Sequence, residues 1–96
     1  MKINDLRPKM GNVDIEVEVI SIGPVRNFER YGRKGRVATA KVKDDSGEIE
    51  MSLWNDQIEK VSVGKKIKIA NGYVSEWQGK PQLTTGRFGT LTIIEE

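Results

Sequence analysis

The alternation of apolar and polar residues along the chain predicts a series of β-strands. In the run Val13–Ile22, apolar residues at odd positions alternate with acidic residues at even positions up to residue 18. This pattern is typical of a strand with one buried face and one face in water. The alternation breaks at residues 20–22, which indicates a bend or a bulge, and Gly23 and Pro24 then end the strand.

Two further alternating runs occupy residues 36–43 and Glu48–Trp54 and predict the second and third strands. The residues that join them, 44–47, are Asp, Asp, Ser and Gly, which are typical of a tight turn. Trp54 falls on the polar face of the third strand, where the core has no use for a large ring. A loop or the end of a sheet could cover this ring, since half-covered aromatic residues are common, or it could meet a ligand.

The second half of the chain predicts two more strands joined by a short turn. The fourth covers residues 65–73 and continues through a bulge at Asn71-Gly72 to Trp77. Gln78-Gly79 is the predicted two-residue turn, and residues 80–85 form the fifth strand. Thr90–Ile94 is predicted to be either a continuation of the fifth strand or a closing strand.

Two segments between the predicted strands differ in type: one is predicted to be a loop and the other a short helix or turn. Residues 24–35 contain Pro, Asn and Gly with basic residues between them, and they are predicted to form a loop. Phe28 and Tyr31 lie inside this loop, where they either pin it to the core or wait for a planar ligand. Residues 55–63 predict a short helix or a turn that covers one end of the sheet.

These elements predict an all-β fold, a five-stranded antiparallel Greek-key barrel of the OB-fold type, as a single domain over residues 1–96. A short helix or turn between strands three and four distinguishes this barrel from an SH3-like one. In such a barrel, the connections between strands one and two and between strands four and five flank the ligand groove. Here these connections are residues 24–35 and 76–81.

Composition limits the functions that this barrel could have. The chain of 96 residues is 36% hydrophobic and 31% charged, which fits one small globular domain. No apolar run approaches the ~20 residues of a membrane span, and the N-terminus lacks the apolar region of a signal peptide, so a cytoplasmic protein without membrane contact is expected. The chain has no Cys and no His. We therefore expect no metal site, no cofactor and no enzymatic activity.

The basic residues are concentrated near the predicted groove, although the net charge is only +2. Such a concentration can form one positive face for nucleic acid phosphates, whereas the alternative is an ordinary solvated loop. The residues predicted to contact phosphates are Arg26, Arg33, Lys34, Arg36, Lys80 and Arg87.

Three aromatic residues are predicted to share the surface of the groove. Tyr73 and Trp77 have the same parity and therefore project from the same side of their strand. Trp54 is the last residue of the third strand and lies on its polar face. Single-stranded nucleic acid binds by stacking its bases on such rings while basic residues follow the phosphates. The alternative is that Tyr73 and Trp77 hold the hairpin together.

Two long runs of the sequence resemble the archaeal single-stranded DNA-binding proteins. They cover residues 42–54 and 68–83, and the opening residues 3–8 are similar to the lead-in of the same family. Its eukaryotic relative is the single-OB sensor of single-stranded DNA, and replication protein A is a more distant relative. The resemblance covers nearly the whole chain.

This resemblance implies roles for particular residues. Family members stack DNA bases on an aromatic residue after the third-strand Leu and on two more around the fourth-to-fifth hairpin, and these positions are Trp54, Tyr73 and Trp77. Some relatives have a further aromatic residue after the fifth-strand Leu, where this chain has Thr84. Family members often carry a C-terminal tail that binds partner proteins.

The sequence therefore predicts a module that binds single-stranded DNA with little sequence preference and protects it in replication, repair or recombination. Its expected partners are single-stranded DNA and proteins of DNA repair or replication. Two alternatives remain open. One is an OB domain that binds RNA or tRNA, because stacking and phosphate contacts suit both nucleic acids. The other is an OB domain whose aromatic residues meet a protein.

Overall fold

Seven strands pair into one sheet in the computed structural model of the protein, which describes residues 1–86 and 89–94, except the side chains of Arg30 and Trp77. The strands are β1 (Val13–Ile22), β2 (Arg26–Arg30), β3 (Arg33–Lys43), β4 (Glu48–Trp54), β5 (Lys66–Trp77), β6 (Lys80–Thr84) and β7 (Thr90–Ile94). A 3-10 turn at Ile3–Asp5 precedes them, and the short helix α1 (Asp56–Lys60) lies between β4 and β5.

The strand pairings form a closed ring. In order around the ring, β1 pairs with β3, β3 with β4, β4 with β6, β6 with β5, and β5 returns to β1. Each of these pairings is antiparallel except the short parallel contact between β4 and β6. The predicted all-β OB-fold with a short helix after its third barrel strand is confirmed.

The first strand is long enough to serve two neighbours because it bends. Its first half, from Val13 to Glu18, pairs with β5, and its second half, from Glu18 to Ile22, pairs with β3. The register shifts between Val19 and Ser21, which confirms the predicted bend. The predicted bulge in β5 is confirmed as well, since β5 runs on through Asn71, whose φ is +55°.

The core lies inside this ring and is filled by the apolar positions of the alternating strands. The β1 residues at 13, 15, 17 and 19 are all buried. The largest of the fully buried side chains that meet them are Met51, Leu53, Ile67, Ile69 and Leu83. Ile58 of α1 packs partly buried against this cluster and Val61 is buried just after the helix, so the helix covers one end of the barrel as predicted.

The turn between β3 and β4 is built around one carboxylate. Asp44 Oδ1 accepts hydrogen bonds from the backbone N–H groups of Ser46 at 2.7 Å and Gly47 at 3.1 Å, and Oδ2 accepts one from the N–H of Ile3 at 2.8 Å. Burial alone would raise the pKa of Asp44, but these hydrogen bonds and one from the Ser46 hydroxyl outweigh it and lower the pKa. The same carboxylate therefore forms the turn and ties the N-terminal segment to the barrel.

The prediction of a loop over residues 24–35 is wrong. The segment from Arg26 to Gly35 is part of a β-hairpin in which β2 pairs with the first half of β3. Its two-residue turn consists of Tyr31 (φ +53°) and Gly32 (φ +75°). Positive φ at both central residues is the geometry that matches the twist of a tight hairpin. The hairpin extends beyond the barrel, which explains why its sequence carries no buried stripe.

Candidate nucleic-acid interface

The wet faces of four neighbouring strands and the β2 strand enclose one elongated groove. Its volume is about 1010 Å³. Most of the side chains that line it are uncharged and polar or aromatic, and Arg26 is the charged residue of the described wall. The lining residues are Arg26, Asn27, Phe28, Val37, Thr39, Ser52, Trp54, Ser75, Gln82, Thr84 and Gly86.

Trp54 lies in the wall of this groove with its ring held from two sides. Its indole Nε1–H donates to Thr84 Oγ1 at 3.1 Å, and its ring meets the ring of Phe28 edge-on, with 5.9 Å between centroids and 85° between planes. Its backbone N–H donates to Gln57 Oε1 at 3.1 Å, at the start of α1. The residue still exposes 40% of its surface. The structure therefore places Trp54 on the wet face of the sheet, as the sequence predicts, and orders its ring.

Phe28 belongs to the same surface, although it comes from the hairpin outside the barrel. It lies opposite Gly35 in the β2–β3 ladder and remains 38% exposed. Tyr31, the other aromatic residue of this segment, is at the turn and is 96% exposed. The two rings therefore differ, because Phe28 is part of the groove wall and Tyr31 projects into solvent.

The β5–β6 hairpin carries the other two predicted platforms. Tyr73 pairs with Thr84 and has the same parity as Ser75, so it lies on the groove face of β5. It is 39% exposed but stands beyond the groove wall, with its Cδ2 4.0 Å from the place where a Cβ on Gly11 would be. Trp77 ends β5 opposite Lys80, and its side chain lies outside the described residues.

The predicted phosphate-binding residues divide between two faces of the sheet. Arg26 lines the groove, Arg33 shares the parity of Val37 on β3, and Lys80 shares that of Gln82 on β6. These three therefore lie on the groove face. Arg87 lies outside the described residues.

Lys34 and Arg36 lie on the opposite face of β3, in step with the buried residue Ala38. Arg36 forms an ion pair with Glu59 of α1 at 3.0 Å, and Lys34 stands opposite Glu29 in the β2–β3 ladder. Their positive charge therefore faces acidic residues, away from the groove.

Sequence reasoning missed the polar side chains between the aromatic residues. Thr39, Ser52, Ser75 and Gln82 all line the groove, and each occupies a wet position of an alternating strand. That parity is the signal that would have found them once the strands were assigned to one face. Their hydroxyl and amide groups can donate to and accept from base edges.

Neither a metal-binding cluster nor a membrane-spanning helix occurs among the described residues. Within residues 1–86 and 89–94, no cluster of three or more acidic side chains is arranged to hold a metal ion. None of the helices in this part of the chain is both long and apolar enough to cross a membrane.

Two curated proteins with DNA-related names are similar to the chain. The single-stranded DNA binding protein Ssb of Saccharolobus solfataricus is 26% identical over 85 residues, which are 88% of this chain and 57% of that protein. Replication factor A of Methanothermobacter thermautotrophicus is 42% identical over 72 residues, which are 73% of this chain and 9% of that protein. The chain thus spans little more than half of the first relative and a small part of the second.

The fold and the family agree with these similarities. The second OB-fold domain of replication protein A from Methanococcus maripaludis superposes with a TM-score of 0.80 and 30% sequence identity, and the match covers 100% of this chain and 95% of that domain. The resemblance to archaeal single-stranded DNA-binding proteins and replication protein A is therefore confirmed. Residues 13–91 match the family described as the OB-fold nucleic acid binding domain, and the chain belongs to that family.

Proposed function

We propose that this domain binds single-stranded DNA in the groove, with little dependence on base sequence. The observation that carries the proposal is Trp54, a half-exposed ring that is fixed in the groove wall before any ligand arrives. Base–aromatic stacking contributes roughly 1–3 kcal/mol per base and tolerates any base, since each has a π-face.

The hydrogen bond of the Trp54 indole supports low sequence preference. Its Nε1–H is already donated to Thr84, so the ring offers its faces to a base and no free donor to a base edge. Such a ring binds any unstacked base through its face and therefore discriminates poorly between the four bases.

The distribution of charge supports an orientation for the strand. The groove wall is mostly uncharged, whereas Arg26, Arg33 and Lys80 share its face toward the two hairpins. Bases therefore lie in the groove and phosphates follow its rim, where Arg and Lys side chains neutralise them. Tyr73 and Trp77 extend the stacking surface along the β5–β6 hairpin.

The names of the relatives support a role in DNA metabolism. Both curated relatives carry names that refer to single-stranded DNA or to replication. We infer that the domain protects single-stranded DNA during replication, repair or recombination, and that its protein partners belong to those processes. It acts by binding rather than by catalysis.

The test is a titration of labelled oligonucleotides followed by fluorescence anisotropy at two salt concentrations. Mixed-sequence and homopolymer single-stranded DNA should bind with similar affinity, and a duplex of the same sequence should bind more weakly. Trp54→Ala should weaken binding by about 1–3 kcal/mol, while Trp54→Phe keeps a ring and should lose less.

Three results would contradict the proposal. Equal affinity for duplex and single strand would show that the groove does not select unstacked bases. A Trp54→Ala variant that binds like the wild type but unfolds more easily, by about 3–5 kcal/mol, would show that the ring serves the core. Much tighter binding of the matched RNA would assign the groove to RNA.

A further inference from the structure

Gly35 leaves a space that the ring of Phe28 fills. A Cβ added to Gly35 would lie 2.4 Å from Phe28 Cζ, 2.8 Å from Cε2 and 3.0 Å from Cε1. The first two distances are too short for a real contact and the third is at the limit, so any side chain at this position would displace the far end of the ring. Gly35 lies within β3 and is absent from the glycines with positive φ, so the backbone itself does not require glycine here.

The position of the Phe28 ring in turn determines the shape of the groove wall. The ring reaches across β3 toward Trp54, and the two planes stand at 85° with their centroids 5.9 Å apart. Since both residues remain partly exposed, they form an open corner rather than a closed core contact. Thr84 holds the Trp54 side of this corner through its hydroxyl. A ring that is ordered before binding loses less side-chain entropy when the ligand arrives.

We propose that Gly35 is a positioning residue of the nucleic-acid groove. Its missing side chain lets Phe28 lie across β3, so that the Phe28 ring stands nearly perpendicular to a base stacked on Trp54 and borders the stacking surface. The inference rests on the proposed function and names a residue that does not touch the ligand itself. The alternative is that Phe28 only covers a glycine in a strand and stabilises the hairpin, as cross-strand aromatic residues do.

A double-mutant cycle separates these roles. Gly35→Ala, Phe28→Ala and the double variant are titrated with the same single-stranded oligonucleotide, and each is also melted thermally. Gly35→Ala should lose about tenfold in affinity, within the range of one stacking contact, without a fall in melting temperature, because Ala fits a strand backbone. In the Phe28→Ala background the same change should alter affinity by less than about twofold, since its only route is through the ring.

Gly11→Ala is the matched control. The added Cβ would be 4.0 Å from Tyr73, an ordinary contact, and Gly11 has no positive φ. This variant should bind and melt like the wild type.

A second measurement detects a change in the contact between Phe28 and Trp54 in the absence of any ligand. In protein labelled with 5-fluorotryptophan, the Trp54 resonance is assigned by Trp54→Phe, and Gly35→Ala should shift it because the neighbouring ring moves. Wild-type affinity in Gly35→Ala, or an equal loss in the Phe28→Ala background, would overturn the inference. If the wild-type protein bound no oligonucleotide, the proposed function itself would fail, which is a different result from a wild type that binds and a Gly35→Ala variant that binds equally well.

Discussion

Two hairpins flank the groove. They have the same turn geometry but differ in how much of each is buried in the core. The β2–β3 hairpin turns at Tyr31-Gly32 and the β5–β6 hairpin at Gln78-Gly79, and φ is positive at all four residues. Val74 and Leu83 bury the β5–β6 hairpin in the core, with 0% of either residue exposed. In β2, by contrast, the residues 26–29 are all exposed.

The difference shows how each hairpin can supply the groove. The β5–β6 hairpin is part of the barrel, so its groove face is the reverse side of a core strand. The outer part of the β2–β3 hairpin projects from the barrel, and neither of its faces packs against the core. Phe28 can therefore line the groove without removing a side chain from the core. We expect substitutions of core residues in the β5–β6 hairpin to lower stability, and substitutions on the groove face of the β2–β3 hairpin to weaken binding.

The largest effect should be on stability, and only in the β5–β6 hairpin. Leu83→Ala removes a fully buried side chain and should lower the free energy of unfolding by about 2–5 kcal/mol. Phe28→Ala should lower it by less than about 1 kcal/mol, because the ring is partly exposed and outside the core cluster. Urea denaturation measures both values. A loss at Phe28 as large as that at Leu83 would make the β2–β3 hairpin part of the core.

A smaller effect should distinguish the two faces of the β2–β3 hairpin. Arg33→Glu should weaken binding and reduce the slope of log K against log salt by about 0.7 for the phosphate contact it removes. Lys34→Glu changes the same charge one residue later on the opposite face, where Glu29 stands across the ladder, and it should leave the slope nearly unchanged. Titrations at several salt concentrations test the pair. Equal slopes in the two variants would mean that the total charge matters and the face does not.

The smallest effect concerns the shared turn geometry. Tyr31 and Gln78 occupy the first turn position with positive φ, where Asn is better tolerated than either. Tyr31→Asn and Gln78→Asn should each raise the free energy of unfolding by roughly 0.5–1 kcal/mol. Thermal melting measures the gain, and a titration follows. If Tyr31 touches the nucleic acid, affinity should fall in the Tyr31 variant alone, whereas unchanged affinity would leave the exposed ring without a role in binding.

The two hairpins also mark how far the sequence could predict the structure. Burial alternation predicted β1, β3, β4 and β5, because each of these strands has one face against the core. Gln78-Gly79 lies between β5 and the strand predicted at residues 80–85, so the β5–β6 hairpin followed from this turn signal. The β2 strand has no buried face, and the first position of its turn is Tyr rather than Asn or Gly, so neither signal for a hairpin was present.

The candidate site was predictable to a similar extent. Trp54 was found because an aromatic residue on a wet strand face breaks the pattern. The roles of Thr84 and Gly35 could not be read from the sequence. Thr84 contacts a ring from β4, and Gly35 faces a ring from β2, a segment that the sequence predicted to be a loop. Arg33 and Lys34 lie on opposite faces of β3, and this could not be predicted because the sequence indicated a loop here.

The bent first strand also has a consequence for the order in which the chain folds. The β2–β3, β3–β4 and β5–β6 pairings join neighbouring segments and can form locally, whereas Val13 pairs with Gly72 and Val17 with Ile67. Closing a loop of this length loses chain entropy before any contact compensates for it, and folds rich in such contacts are slow. We expect the hairpins to form first and the ring to close last. A growing chain would then leave the first half of β1, with its acidic outer face, unpaired until β5 had been made.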